Sequence, residues 1–161
     1  MVECGKLGCS CSKNEIKYTT YKTIQMKVTT SWVETLAFDV KADTGHLARL
    51  DTSIEGGGSG SGMNPKKMLL GSLCGCSGID VVEILHKMKV PFTKLEIEAS
   101  AEQTEDHPKV FKFIDMVYRC DVSPENLDKL NRAVSLSKEK YCGISAMLAK
   151  HCPINYTIEL I

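Results

Sequence analysis

The sequence predicts an α+β domain, and three observations carry that prediction. Alternating apolar and polar residues mark strands near both ends of the chain and in its middle. Two long segments with apolar residues three, four or seven apart mark helices. The patterns run strands, long helix, strand pair, long helix, final strand, an α+β order in which both apolar helices need sheet, or each other, for cover.

The first strands lie in MKVTTSWVETLAFDVKA, where Val28, Thr30 and Trp32, then Leu36, Phe38 and Val40, alternate like the arms of a hairpin. HLARLDTSIE supplies a third strand. Residues 1–24 differ: Cys4, Cys9 and Cys11 sit among Gly, Ser and Lys, and the following NEIKYTTYKTIQ alternates only weakly. The chain therefore divides into an N-terminal extension, residues 1–24, and one domain, residues 25–161.

EGGGSGSGMNPKK, residues 55–67, reads as a mobile strand-to-helix connection. A phosphate-binding loop would end in Gly-Lys-Ser/Thr, whereas these lysines follow Asn-Pro. Asn64 is placed to cap a helix and Pro65 to begin it, with Pro91 ending it near Lys89. FTKLEIEASAEQ and KVFKFIDMVYRCDV should pair around TEDHP, with Ile114, Met116, Tyr118 and Cys120 on one face. Ser123-Pro124 opens the second helix, whose inward positions are Leu127, Leu130, Val134, Ser137, Tyr141, Ile144 and Leu148. Gly143 weakens it and predicts a break, with a new segment beginning at ISAML. PINYTIELI closes the chain as a strand.

Composition narrows the function. The 161 residues suit one domain, and 43% hydrophobic with 25% charged residues is ordinary for a globular chain. Twenty basic residues balance twenty acidic ones, so no overall field draws nucleic acid or anionic lipid. The N-terminal residues lack a secretory apolar core, and the apolar stretch after Lys67 is interrupted by Asp80, Glu83 and His86, so no membrane span is expected. A cytoplasmic protein is the expectation, and its eight cysteines need individual readings rather than a disulfide framework.

LGSLCGCSGIDVVEIL carries two of them in a helical pattern. Residues two apart on a helix point about 200° apart, so Cys74 and Cys76 share neither a disulfide nor a metal while the helix holds. Cys74 lies with Leu70, Leu73 and Val81 as core filler; Cys76 is followed at helical spacing by Asp80 and Glu83, a polar seam that is either a solvent edge or a site. Cys142, at the predicted break, would feel a helix N-terminus, or simply pack. Cys120 and Cys152 read as structural, and His107 belongs to the turn. The CxxxxCxC of Cys4, Cys9 and Cys11 offers three thiols, one short of a closed zinc site unless His46, His151 or a second chain contributes, and otherwise reads as a reactive tail.

NPKKMLLGSLCGCSGIDVVEILHKMKV, HPKVFKFIDMVYRCDV and LSKEKYCGISAMLAKHCPINYTIEL together resemble the OsmC/Ohr family of small thiol peroxidases, especially its YhfA-like branch, from about residue 26 onward. The resemblance implies an intertwined homodimer in which antiparallel sheets wrap two long central helices. It implies a peroxidatic Cys76, aligned by GCSGIDVV, and a resolving Cys142, an organic hydroperoxide substrate, an external dithiol reductant, and neither cofactor nor metal. An apolar pocket near Val82, Met88 and Leu148 would take the alkyl chain. The family's activating arginine and its supporting glutamate at the helix start are not in register here. Lys66 stands at the glutamate position, and Arg49 reaches the site only if the Gly-rich loop folds back; otherwise it is a solvated strand residue, and Lys66 or Lys67 is the substitute cation. Glu83 either orients such a cation or faces solvent. Without an activating cation the chain would be a redox sensor, or a small-molecule or metal-binding protein, that keeps the cysteines.

Overall fold

The structure, a computed structural model, describes residues 25–161, so the expectations for Cys4, Cys9 and Cys11 lie outside the described residues. Three strands, β1 (Val28–Glu34), β2 (Ala37–Ala42) and β3 (Leu47–Leu50), form an antiparallel meander in that order. Thr30 pairs with Val40 and Trp32 with Phe38, so the two alternating runs of the sequence meet on one face.

The second sheet has the order β4-β5-β6, from β4 (Leu95–Gln103), β5 (Phe111–Cys120) and β6 (Ile154–Leu160). β4 and β5 are antiparallel around the predicted turn. β6 runs parallel to β5, with Ile154 opposite Ile114, so this sheet is mixed rather than wholly antiparallel. The helical crossover between β5 and β6 returns the chain in the direction it left, which a hairpin cannot do.

Helix α1 (Pro65–Lys87) begins as its sequence dictates. Asn64 Oδ1 accepts the backbone N–H of Lys66 at 2.9 Å, and Pro65 supplies the first helical φ. The helix stops two residues short of Lys89, which has a positive φ of 54°. The second helical region is segmented. A 3₁₀ turn at Pro124–Asn126 leads into α2 (Leu127–Leu136), a π-helical turn spans Ser137–Tyr141, and α3 (Gly143–Leu148) follows the predicted break. Leu73, Val81 and Leu85 of α1, Ile114, Met116 and Tyr118 of β5, and Leu130 and Val134 of α2 are buried in one core.

The first sheet does not share that core. It packs on no helix and on no strand of the second sheet beyond marginal contact. Trp32, Val28, Leu36 and Leu47 are exposed. Helix α1 is itself long and apolar enough to cross a membrane by length and composition, contrary to the expectation from its three interruptions, yet only 28% of that window is buried within the chain. It also turns Asp80 toward Ser137 of the π turn and packs against both β4 and α2, as a core helix does. Among the described residues, one helix face and one sheet are thus left uncovered.

The Gly/Ser-rich connection is not slack. Asp51, 2% exposed, accepts hydrogen bonds from the Thr52 N–H, from the N–H and Oγ of Ser59, and from the N–H and Oγ of Ser61. A side chain at residue 58 would strike Asp51 Oδ1 at 2.6 Å and the Thr52 carbonyl at 2.4 Å, so only glycine lets the loop close on the carboxylate. The loop returns far enough for the Met63 N–H to reach the Arg49 carbonyl at 3.0 Å.

Candidate active site

Helix α1 presents Leu73, Ser77, Val81 and Leu85 to the core as one buried row. Cys76 flanks that row, half-buried, and Asp80, one turn on, flanks it on the same side. Across from them the π turn brings Ser137 and Cys142 into line. In an α-helix residues five apart diverge by about 140°; here the Cys142 N–H bonds the Ser137 carbonyl at 2.8 Å, and both side chains are buried. Cys142 caps α3, its sulfur accepting the Ser145 N–H at 3.3 Å.

The outcome is a cluster. The sulfurs of Cys76 and Cys142 and a carboxylate oxygen of Asp80 all lie within 4.8 Å of one another. Burial pushes the Cys142 thiol above its ordinary range, and the hydrogen bond with Cys76 and the charge of Asp80 push it the same way, against the Ser145 N–H. At neutral pH Cys142 is a thiol.

Behind the cluster runs a buried hydroxyl chain. Ser137 Oγ lies 2.9 Å from Asp80 Oδ2 and 2.9 Å from Ser77 Oγ, which lies 2.6 Å from the Tyr118 hydroxyl. Each hydroxyl has one proton to give, and an ionised carboxylate can only accept. Ser137 therefore donates to Asp80, Ser77 to Ser137, and Tyr118 to Ser77. Burial lifts the Tyr118 phenol to about 12, partly offset by Ser77, which keeps it a donor. The chain fixes the Asp80 carboxylate in position, and such aligned bonds strengthen one another. Periodicity marked Ser137 as inward and Tyr118 as a core position, but the π turn that aligns Ser137 with Cys142 has no sequence signature.

The other expected site residues are placed elsewhere. Glu83 is exposed, and its carboxylate meets Lys87 Nζ at 3.2 Å. It lies about 10.5 Å along the helix from Cys76, whereas Asp80 lies about 6 Å along. Lys66 donates to Gln103 Oε1 and to the Lys109 carbonyl, each at 2.6 Å, and so ties the start of α1 to the second sheet. Arg49 is brought back to the head of α1 by the folded loop, but its guanidinium is held by Asp39, and the sheet carrying it does not pack on α1. About 16 Å of helix rise then separates Pro65 from Cys76. A groove of about 1190 Å³ opens beside Cys74, Leu70, Ile97 and Phe111, at the other end of α1 from Val82 and Met88. Burial raises the Cys74 thiol too, as suits packing rather than chemistry.

A sequence model of the OsmC-like protein family matches residues 57–157. Protein YhfA of Escherichia coli K12 is 32% identical over 136 residues, covering 84% of this chain and 98% of YhfA. A hypothetical protein from Aquifex aeolicus has a crystal structure that superposes with a TM-score of 0.74 at 28% identity, over 86% of this chain and 98% of that one. An organic hydroperoxide resistance protein OsmC from Legionella pneumophila superposes with a TM-score of 0.63 at 14% identity, over 84% and 97%, a likeness of fold.

Proposed function

We propose that this chain, which belongs to the OsmC-like family, reduces organic hydroperoxides in oxidative-stress defence, with Cys76 as the peroxidatic and Cys142 as the resolving cysteine. The observation that carries this reading is the approach of two sulfurs 66 positions apart in the chain (142 minus 76) to within 4.8 Å. Some fold neighbours bear the name of organic hydroperoxide resistance proteins, which fits the same substrate class.

A Cys76 thiolate attacks the outer peroxide oxygen. The O–O bond breaks, the outer oxygen stays on Cys76 with its hydrogen as a sulfenic acid, and the departing alkoxide takes from solvent the proton that Cys76 released on ionising, leaving as the alcohol. Cys142 attacks that sulfur, water leaves, and a disulfide forms; an external dithiol then returns both cysteines to the reduced state. A disulfide needs about 2.05 Å between sulfurs, so the pair must close further. Cys142 lies between the π turn and α3, where such closure is easiest, whereas Cys76 is held within α1.

The thiolate needs a cation, and the immediate neighbour is Asp80, an anion. Arg49 is the candidate, acting across a homodimer. The sheet that carries it lacks cover among the described residues, and so does a face of α1, as expected if two chains wrap one another. A second reading, a redox sensor that oxidises without rapid turnover, is favoured by Asp80, whose charge raises the Cys142 thiol.

The decisive experiment follows an alkyl hydroperoxide with a dihydrolipoamide-type dithiol as reductant. Wild type should consume it and Cys76→Ser should not, while Cys142→Ser should stop after one turnover at the sulfenate. Steady turnover by Cys142→Ser would remove the resolving role. Turnover by Cys76→Ser would end the reading.

A further inference from the structure

The geometry points to a second use of the same cluster: in the reduced protein, Cys76, Asp80 and Cys142 form a binding site for a borderline-soft divalent cation, Zn²⁺ foremost. It goes beyond peroxide reduction and stands on the cluster's own chemistry, whether or not the pair turns over.

Distance is the first support. A tetrahedral zinc holds sulfur at about 2.3 Å and carboxylate oxygen at about 2.0–2.2 Å, which puts its ligand atoms about 3.5–3.8 Å apart. The three donor atoms here already lie within 4.8 Å of one another, so closing on a cation takes about an ångström of side-chain rotation. Donor type is the second support. Calcium and magnesium want oxygen alone, and copper(I) prefers sulfur without carboxylate, whereas two thiolates and one carboxylate suit zinc. Orientation is the third. Ser137 fixes Asp80 through Oδ2, with Ser77 and Tyr118 behind it, and Oδ1 has no hydrogen bond among the described residues. A ligand carboxylate held by a buried hydroxyl is the usual outer layer of a metal site. Three protein ligands leave one position for water or a small anion, an open site rather than a closed structural one.

Cation and peroxide would then compete for the same electrons. Binding releases two thiol protons. Oxidation by a hydroperoxide takes two electrons from the two thiolates, consumes two protons, and yields the disulfide, the alcohol, water and the freed cation. A disulfide has no thiolate to ligate, so metal-loaded and oxidised forms exclude each other.

The test uses the full chain with Cys4, Cys9 and Cys11 replaced by serine, reduced with a phosphine, desalted anaerobically and titrated with Co²⁺, then Zn²⁺. A thiolate-to-cobalt charge-transfer band should saturate at one cation per chain and be displaced by Zn²⁺. It should vanish in Cys76→Ser, and Asp80→Asn should weaken binding by about tenfold or more. An alkyl hydroperoxide should release the cation in step with disulfide formation. No band in this background, or a band that survives Cys76→Ser, overturns the site. Circular dichroism accompanies each variant; should a cysteine variant unfold, the near-isosteric Asp80→Asn decides, since unchanged affinity there equally overturns the three-ligand site.

Discussion

Trp32 and Met116 both lie within strands, on faces the sequence marks as apolar, yet Trp32 is 66% exposed and Met116 is 3% exposed. The difference is one of partners rather than of pattern. β5 has neighbours on both edges and shares a buried core with α1 and α2, so its inward side chains are buried within a single chain. β1–β3 form an equally regular sheet, hydrogen-bonded and in register, with nothing among the described residues to lie on. Strand formation and core formation are separate achievements. The candidate site divides along the same line, for both sulfurs belong to the complete half and Arg49 to the incomplete one. Assembly would then do more than cover apolar surface; it would finish the chemistry.

Stability and association can be separated to test this division, and the largest effect is expected in the complete half. Leu85 is fully buried on α1, so Leu85→Ala should lower unfolding free energy by about 2–5 kcal/mol in denaturant titrations. Trp32→Ala should leave that half folded and, on the proposal of a homodimer, instead raise its dissociation constant by about tenfold or more, read by sedimentation equilibrium. Were Trp32→Ala to leave association untouched while costing as much stability as Leu85→Ala, the two halves would share a core and the comparison would fail.

Arg49 probes the chemical side of the same division. If it activates Cys76 across the interface, Arg49→Ala should raise the pH midpoint of Cys76 alkylation and slow peroxide consumption about tenfold or more, since a nearby opposite charge shifts a pKa by about 1–3. Arg49→Lys keeps the charge but loses the two-pronged guanidinium now held by Asp39, and should recover only part of the rate. An alkylation midpoint that stays put in Arg49→Ala assigns the guanidinium to Asp39 alone and removes it from the site.

What was legible in the sequence follows from how local each feature is. Alternation and helical spacing are local, so the strand and helix order, the Asn64-Pro65 start and the break at Gly143 could all be read directly. Cys74 and Cys76 could be told apart because helix geometry alone turns them to different sides. Asp80 and Glu83 were equally visible on the flank of Cys76, but choosing between them needed the position of Ser137, a contact across 57 residues. The parallel pairing of β6 depends on where a crossover ends. The ordered Gly/Ser loop depends on Asp51, a single carboxylate that composition cannot distinguish from a solvated one.

That carboxylate gives the last and smallest test of the division. Hydrogen bonds from Ser59, Ser61 and Thr52 hold the Asp51 carboxyl well below the usual carboxylate range. A carboxyl depressed in the folded state contributes stability that is complete above the unfolded value, about 3.9, and is lost as pH falls toward the folded one. Asp51→Asn should therefore flatten the acid limb of stability below about pH 4 and speed amide exchange at Ser59 and Ser61 at neutral pH. Exchange in β5 should not change, because the loop belongs to the half that shares no core with it. Faster exchange spreading into β5 would mean that the loop braces the complete half after all, and that the boundary drawn between Arg49 and the sulfurs lies in the wrong place.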